Sequence, residues 1–354
     1  MKALVLSGGT GSRLRPITYT CAKQLVPLAN KPVLFYGLEA IAAAGISDVG
    51  IIVGDTAQDI MAAVGDGSKL GINVTYIPQD SPGGLAQCVL IAKDFLGDDD
   101  FVMYLGDNVV LGGITAFVNE FKDQKPNAMV LLNRVDDPRQ FGVAEVNPDG
   151  SLIRLVEKPQ DPKSDLALVG VYIFDKNIHD AVNAIEPSAR GELEITDAIQ
   201  WLIDNDREVK QHTLQSPWID TGKLQDLLEA NRIVLDEIEP ANNGDVDESS
   251  SIEGRVVIMA GAKVSGSTIR GPVVIGENVV VEDSYVGPYS SIANDSQIIN
   301  SEIEHSVLME GAIIRGVTRV VDSLIGRGAI CERDERQPSA FRVMIGDTST
   351  VKIP

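Results

Sequence analysis

The chain has 354 residues, of which 44% are hydrophobic and 23% charged, enough apolar material for folded cores and too much for a disordered chain. Its 51 acidic and 30 basic residues leave a net charge of −21, which excludes the general electrostatic footprint of a nucleic-acid or anionic-membrane binder. Three cysteines without framework spacing, an N-terminus that runs straight into glycines, and no run of about 18 apolar residues argue against a secreted disulfide scaffold, a signal peptide and a membrane span; a cytoplasmic protein is expected.

The first 235 residues alternate short β-branched runs with helical patterns. Lys2–Leu6, Val49–Val53, Val74–Ile77, Val102–Leu105 and Met129–Leu132 read as buried strands, with helices expected over Pro32–Ala44, Thr56–Val64, Leu85–Phe95 and Ile114–Lys122. This β-α-β alternation predicts an α/β domain, three-layered and Rossmann-like, with a mostly parallel sheet. Strand-like runs at 142–146, 151–156 and 167–174 lack helices between them, so antiparallel strands are expected there. Helices return at 176–184, 193–204 and 223–237. The acidic stretch 236–253 reads as a linker or extended crossover.

From Ile258 onward, aliphatic residues recur every five or six positions through Val264, Ile269 and their successors to Ile325. Positions 258, 275, 292, 308 and 325 are 17, 17, 16 and 17 residues apart. Three short strands per coil, each with one inward aliphatic side chain, describe a parallel β-helix. The expected domains are therefore 1–240 and a β-helix over 241–354, with a capping strand around Val343–Ile345. The segment resembles the left-handed hexapeptide-repeat β-helices. A prism with aliphatic-rich faces predicts self-association through the β-helix.

The sharpest motif is Ser7-Gly8-Gly9-Thr10-Gly11-Ser12-Arg13-Leu14. Glycines directly after a buried strand let backbone N–H groups approach a phosphate. No Gly-Lys-Ser/Thr follows, so this is not a Walker loop, and Leu14 stands where a dinucleotide fingerprint needs its last glycine. Arg13 ends the loop with a fork of donors, and Lys23 follows in Lys23-Gln24-Leu25-Val26-Pro27. Together they point to a polyphosphate.

These residues resemble the sugar-1-phosphate nucleotidyltransferase family. Further matches follow in order: Gln79-Asp80-Ser81-Pro82-Gly83-Gly84-Leu85-Ala86-Gln87, Gly106-Asp107-Asn108, Phe141-Gly142-Val143, Glu157-Lys158-Pro159, Arg190 to Asp197, and Trp218-Ile219-Asp220-Thr221-Gly222. The set covers roughly residues 1–235 and, with the β-helix appended, is similar to the long glucose-1-phosphate thymidylyltransferases. The resemblance implies dTTP and glucose 1-phosphate as substrates. It also implies an Mg²⁺ ion on Asp107 and Asp220, hard oxygen ligands of the kind that ion shares with phosphates.

The resemblance further implies that Gly8, Gly9, Gly11 and Ser12 cradle the nucleotide and that Arg13 neutralises the leaving pyrophosphate. Lys23 would contact the triphosphate near its α-phosphorus, and Lys158 would steady the sugar phosphate. Gln79 would pair with a pyrimidine edge, aided by the backbone at Gly84, with Gln24 near ribose or base. Gly142, Glu157, Gly170 and Thr196 would line the sugar pocket. Tyr172 reads equally as a pocket residue or a packed aromatic. Ser7, Phe141 and Val156 depart from alanine, tyrosine and glutamate in many relatives.

Thymine and uracil differ by one methyl group, so these residues leave UTP open. His305 leaves open an acyl transfer in the β-helix, because hexapeptide acyltransferases use a histidine base. Cys21 is expected as a small buried residue, and Trp201 as core.

Overall fold

The structure is a computed structural model that describes residues 1–9, 11–222 and 224–334, without the side chain of Gln225. The chain divides into two compact units, Met1–Glu237 and a second beginning at Ile238. The expected strand around Val343–Ile345 lies outside the described residues. Among the described residues, no helix is long and apolar enough to cross a membrane.

In the first unit, β1 (Lys2–Ser7) leads through a glycine turn to a small ribbon, β2 (Pro27–Leu28) and β3 (Lys31–Pro32), and then to α1 (Val33–Ala43). β4 (Asp48–Val53), α2 (Ala57–Val64) and β5 (Asn73–Pro78) follow. The helix expected over 85–95 is two, α3 (Leu85–Ile91) and α4 (Lys93–Leu96), because Ala92 leaves the helical region (φ −87°, ψ 2°). Next come β6 (Phe101–Leu105), β7 (Asn108–Val110), α5 (Thr115–Gln124), β8 (Ala128–Arg134), β9 (Gly142–Val146), β10 (Leu152–Glu157) and β11 (Leu166–Phe174). The unit ends with α6 (Ile178–Ala184), α7 (Ile195–Asp204), β12 (Val209–Thr213), β13 (Trp218–Asp220) and α8 (Leu224–Leu235).

The main sheet runs β10-β9-β11-β6-β1-β4-β5, with β8 pairing β11 and β12. β5, β4, β1 and β6 are parallel, while β11 meets β6, β8 and β9 antiparallel, as the helix-poor stretch from 142 to 174 requires. Alternation along each strand feeds two cores. Ala3, Val5, Val102 and Tyr104 face the layer that holds Leu34, Leu38 and Phe117. Leu4, Leu6, Phe101 and Met103 face the layer that holds Val89, Ile199 and Leu202, with Trp201 packed at its edge. β1 has β4 on one side and β6 on the other, so the chain order reverses there and a crevice opens at the strands' carboxyl ends.

The second unit is a three-faced parallel β-helix, consistent with the left-handed hexapeptide form. Ile258, Ile275, Ile292, Leu308 and Ile325 stack in register on one face. Val264, Val281, Ile298 and Ile314 stack on the second, and Ile269, Val286, Ile303 and Val320 on the third. Cys331 continues the second face below Ile314, which gives the third cysteine a packing role.

The expectation of a linker over 236–253 is corrected in part. Ala241–Asn242, Asp245–Val246 and Ser251–Glu253 form the first coil, each pairing in parallel with the next. Acidic composition misled because these side chains face water and hold corners. Asp247 accepts from the Ser249 and Ser250 hydroxyls at 2.8 and 2.6 Å.

Candidate active site

The glycine turn follows directly from β1, and at Gly11 its backbone requires a glycine. A Cβ on Gly8 would lie 2.3 Å from Gln79 Oε1, and one on Gly9 would lie 3.1 Å from Lys23 Cε. Gly11 has φ +64°, and its Cβ would meet Lys23 Cβ at 2.8 Å. This turn walls a cavity of about 220 Å³ at the carboxyl ends of β1, β5 and β6. Gln24, Gln79, Gly84, Lys23 and Asp107 line the same space. Gln24 is 1% exposed, and its Oε1 has no partner among the described residues, an acceptor left for a donor entering the cavity.

Ser12 and Arg13 stand exposed on a short 3₁₀ turn anchored by buried Leu14. Arg13 lines an adjoining cleft of about 540 Å³ with Asp220, Phe141, Trp218 and Gly222. Phe141 and Trp218 meet edge to face at 5.2 Å.

Asp107 and Asp220 are brought together by backbone pairing. Asp107 immediately precedes β7, and antiparallel β7 and β13 pair Asn108 with Asp220. The Thr221 hydroxyl closes the end by donating to Asp107 O at 2.9 Å. The Trp218 indole N–H can only donate, so Asn108 turns its Oδ1 toward it (2.6 Å) and its Nδ2 toward Asp107 Oδ1 (3.1 Å). Gly170, at φ +82° in the irregular middle of β11, leaves room for this; its Cβ would lie 3.2 Å from Asn108 Nδ2.

Lys23 forms a partly buried ion pair with Asp107. Burial opposes the Lys23 charge, but Asp107 and then Asp220 outweigh it, holding the ammonium above the usual lysine range. Among the described residues none forms an ion pair with Asp220. Burial, and then the Asp107 charge, push its carboxyl up to about 6, against a smaller pull from Lys23.

The opposite end of the site is built on the β9–β10 hairpin, where Glu157 pairs with Gly142. A Cβ on Gly142 would meet Thr196 Cγ2 at 2.8 Å and lie 3.3 Å from Glu157 Oε2. Lys158 adopts φ +43° and reaches Glu157 Oε1 at 3.2 Å. Thr196 Oγ1 donates to Glu157 Oε2 at 3.4 Å, and Arg190 Nη2 lies 3.3 Å from Glu157 Oε1 and 2.7 Å from Glu194.

The profile of the nucleotidyl transferase family matches residues 2–237. The chain is 58% identical over 353 residues to the glucose-1-phosphate thymidylyltransferase of Streptomyces griseus, covering 100% of this chain and 99% of that one. The chain belongs to the glucose-1-phosphate thymidylyltransferase family of nucleotidyl transferases. A second full-length relative at 44% identity, covering 100% of both chains, is the low-salt glycan biosynthesis nucleotidyltransferase Agl11 of Haloferax volcanii. A solved Bacillus anthracis protein in complex with a sucrose superposes with a TM-score of 0.63 at 37% identity, covering 68% of this chain and 98% of that one.

In this thymidylyltransferase-family chain Asn108, Gln87 and Arg190 also stand at the site, with no role expected for them from sequence. All three stand inside the family-like motifs Gln79–Gln87, Gly106–Asn108 and Arg190–Asp197, and that position is their signal in the sequence. Cys21 corrects an expectation: it is half-buried rather than buried, its Sγ 3.3 Å from Ala22 O. Tyr172, equally a pocket residue by sequence, is 3% exposed and stacks on Phe174 at 5.9 Å within the core.

Proposed function

We propose that the chain transfers a thymidylyl group from dTTP to glucose 1-phosphate, releasing pyrophosphate and forming dTDP-glucose. The observation that carries this reading is the meeting of Lys23, Asp107 and Asp220 beside the glycine turn that follows β1. The name of the full-length Streptomyces griseus relative supports the choice of substrates.

In this reading an oxygen of the sugar phosphate attacks the α-phosphorus in line; the new P–O bond forms as the bond to the pyrophosphate oxygen breaks. The nucleophile is already an anion, so the side chains act by positioning and by meeting charge. Lys23, with its charge secured by Asp107, faces the non-bridging oxygens of the α-phosphate. Arg13, on the rim of the adjoining cleft, meets the departing pyrophosphate. Lys158 holds the attacking phosphate, while Glu157 and Thr196 bind sugar hydroxyls, with Gly142 leaving them space. Gly8, Gly9, Gly11 and Ser12 form the phosphate cradle, and Gln79, Gly84 and Gln24 surround base and ribose.

The donor set fits Mg²⁺ on Asp107 and Asp220. Two converging carboxylates, one of them without an ion-pair partner among the described residues, form an acidic pair rather than a closed cage, and among the described residues no cluster of three or more metal-binding side chains occurs. An ion that keeps water and phosphate oxygens suits two protein ligands. When bound, Mg²⁺ supplies charge neutralisation to the triphosphate.

The test is pyrophosphate release from dTTP and glucose 1-phosphate by the wild type and by Asp107→Ala. Activity surviving that substitution overturns the assignment. We also propose self-association through the β-helix, which sedimentation of the full chain as a 37.9 kDa monomer would contradict. Among the described residues the three cysteines form no disulfide, in keeping with a reducing cytoplasm.

A further inference from the structure

The base cavity contains an amide whose polarity is set by a neighbour. Gln79 lies on its wall just after β5, and Gln87 is the third residue of α3. The Gln87 side chain folds back over the start of its own helix, and its Oε1 accepts from the Gly83 N–H at 2.8 Å. This is one half of a capping box, the third helical residue reaching back past the N-cap Gly84, which has no side chain to return the bond. The same oxygen accepts from Gln79 Nε2 at 2.9 Å.

The chain of donors runs in one direction only. A backbone N–H can donate but never accept, so the Gln87 atom facing Gly83 is oxygen. That oxygen obliges Gln79 to present Nε2 to it, and a weaker contact from the same Nε2 to Cys88 Sγ (3.6 Å) agrees. Gln79 Oε1 is thereby turned to the opposite side, against Gly8, which also lines the cavity. The arrangement is held from behind. A Cβ on Gly83 would lie 2.7 Å from the Gln87 amide, and the loop is clipped to Leu193 by Leu193 N–H to Gly83 O (2.8 Å) and Ala86 N–H to Leu193 O (3.0 Å).

We infer that Gln87 is a positioning residue for base specificity: by fixing the amide of Gln79 with its oxygen toward the cavity, it selects pyrimidines that carry a ring N–H donor and rejects those that present a ring acceptor. The inference rests on reading this cavity as the base pocket. Thymine and uracil offer N3–H, whereas cytosine offers N3 as an acceptor, which would face Gln79 Oε1 with no proton between them. A site whose buried polar group is left unpaired discriminates far more strongly than one that senses a methyl group. Gln87 therefore governs the choice against cytosine and is indifferent to the choice between thymine and uracil.

The test is kcat/KM for dTTP, UTP and dCTP with glucose 1-phosphate, measured on the full chain as wild type, Gln87→Met, Gln87→Ala and Gln87→Glu. Gln87→Met keeps the side-chain volume without the acceptor, and Gln87→Glu keeps the acceptor. In Gln87→Met and Gln87→Ala the Gln79 amide is free to turn over, so the dTTP-to-dCTP ratio is expected to fall at least about tenfold. The dTTP-to-UTP ratio stays within about twofold of wild type. Gln87→Glu is expected to retain the wild-type dTTP-to-dCTP ratio. If Gln87→Met and Gln87→Glu lower dTTP and dCTP by one common factor, Gln87 only packs the loop, and the inference fails while the base pocket stands. A wild type that turns over none of these nucleotides overturns the pocket reading and the inference together.

Discussion

In the α/β unit, side chains from positions 23, 107 and 220 meet at one point; in the β-helix, each aliphatic anchor meets its counterpart one coil away. The first arrangement occurs once and holds charge that folding alone leaves partly uncompensated. The second repeats, and each coil contributes the same apolar stacking. The chain accepts instability at the charged cluster and not in the coils. In the β-helix the buried aliphatic anchors share one reason for their place, namely burial. Asp220 has the opposite relation to folding, because its carboxyl would be easier to bury as a neutral group.

The largest effect is expected at Asp107. Asp107→Asn removes the ion-pair partner of partly buried Lys23, so turnover should fall by about a thousandfold or more, and the protein should lose ~2–5 kcal/mol in denaturant unfolding. Asp220→Asn should abolish turnover to a similar degree while moving stability the other way. The native carboxyl, pushed up to about 6, holds its proton more tightly than the unfolded chain does. Its contribution is therefore fully present below the unfolded value near 3.8 and is lost as pH rises through about 6. At pH 7 the ligand-free Asp220→Asn protein should be more stable than wild type by ~1–3 kcal/mol, and its unfolding free energy should lack that decline with pH. Two carboxylates that both stop the reaction yet shift stability in opposite directions would sharpen the contrast; equal destabilisation would break it.

A smaller effect is expected at the sugar end, where Glu157 already engages Lys158, Arg190 and Thr196. Glu157→Gln should raise KM for glucose 1-phosphate about tenfold with kcat little changed, as for a lost ground-state contact. In the β-helix, Ile298→Ala leaves a void in a fully buried stack, and unfolding should show a loss of ~2–5 kcal/mol. Its kcat and KM should equal the wild-type values; a change in either would break the separation between the two units.

The β-helix was legible because its period is set by covalent geometry: one inward residue per face, repeated each coil, fixes Ile258 through Ile325 without knowledge of distant partners. Its first coil was not, since Asp245 and Glu253 are solvated and carry a linker's composition while pairing in register with the next coil. In the α/β unit, continuous apolar runs along β1 and β6 announce buried strands, and Gly8, Gly9 and Gly11 announce a close approach of the chain. The short ribbon of β7 and β13 gave no such signal, because three-residue strands lack a period, and it is this ribbon that joins Asp107 to Asp220. Asn108 and Gln87 escaped for a related reason. Their work is to set the orientation of another side chain, and that depends on partners as distant in sequence as Trp218.

The most direct test of thymidylyl transfer at this site is a pyrophosphate-release panel, with four nucleoside triphosphates set against several sugar 1-phosphates in the presence of Mg²⁺. The expected result is highest kcat/KM for dTTP with glucose 1-phosphate, UTP following and dCTP far behind. A panel in which dTTP and glucose 1-phosphate yield no pyrophosphate, while another pair does, would contradict it.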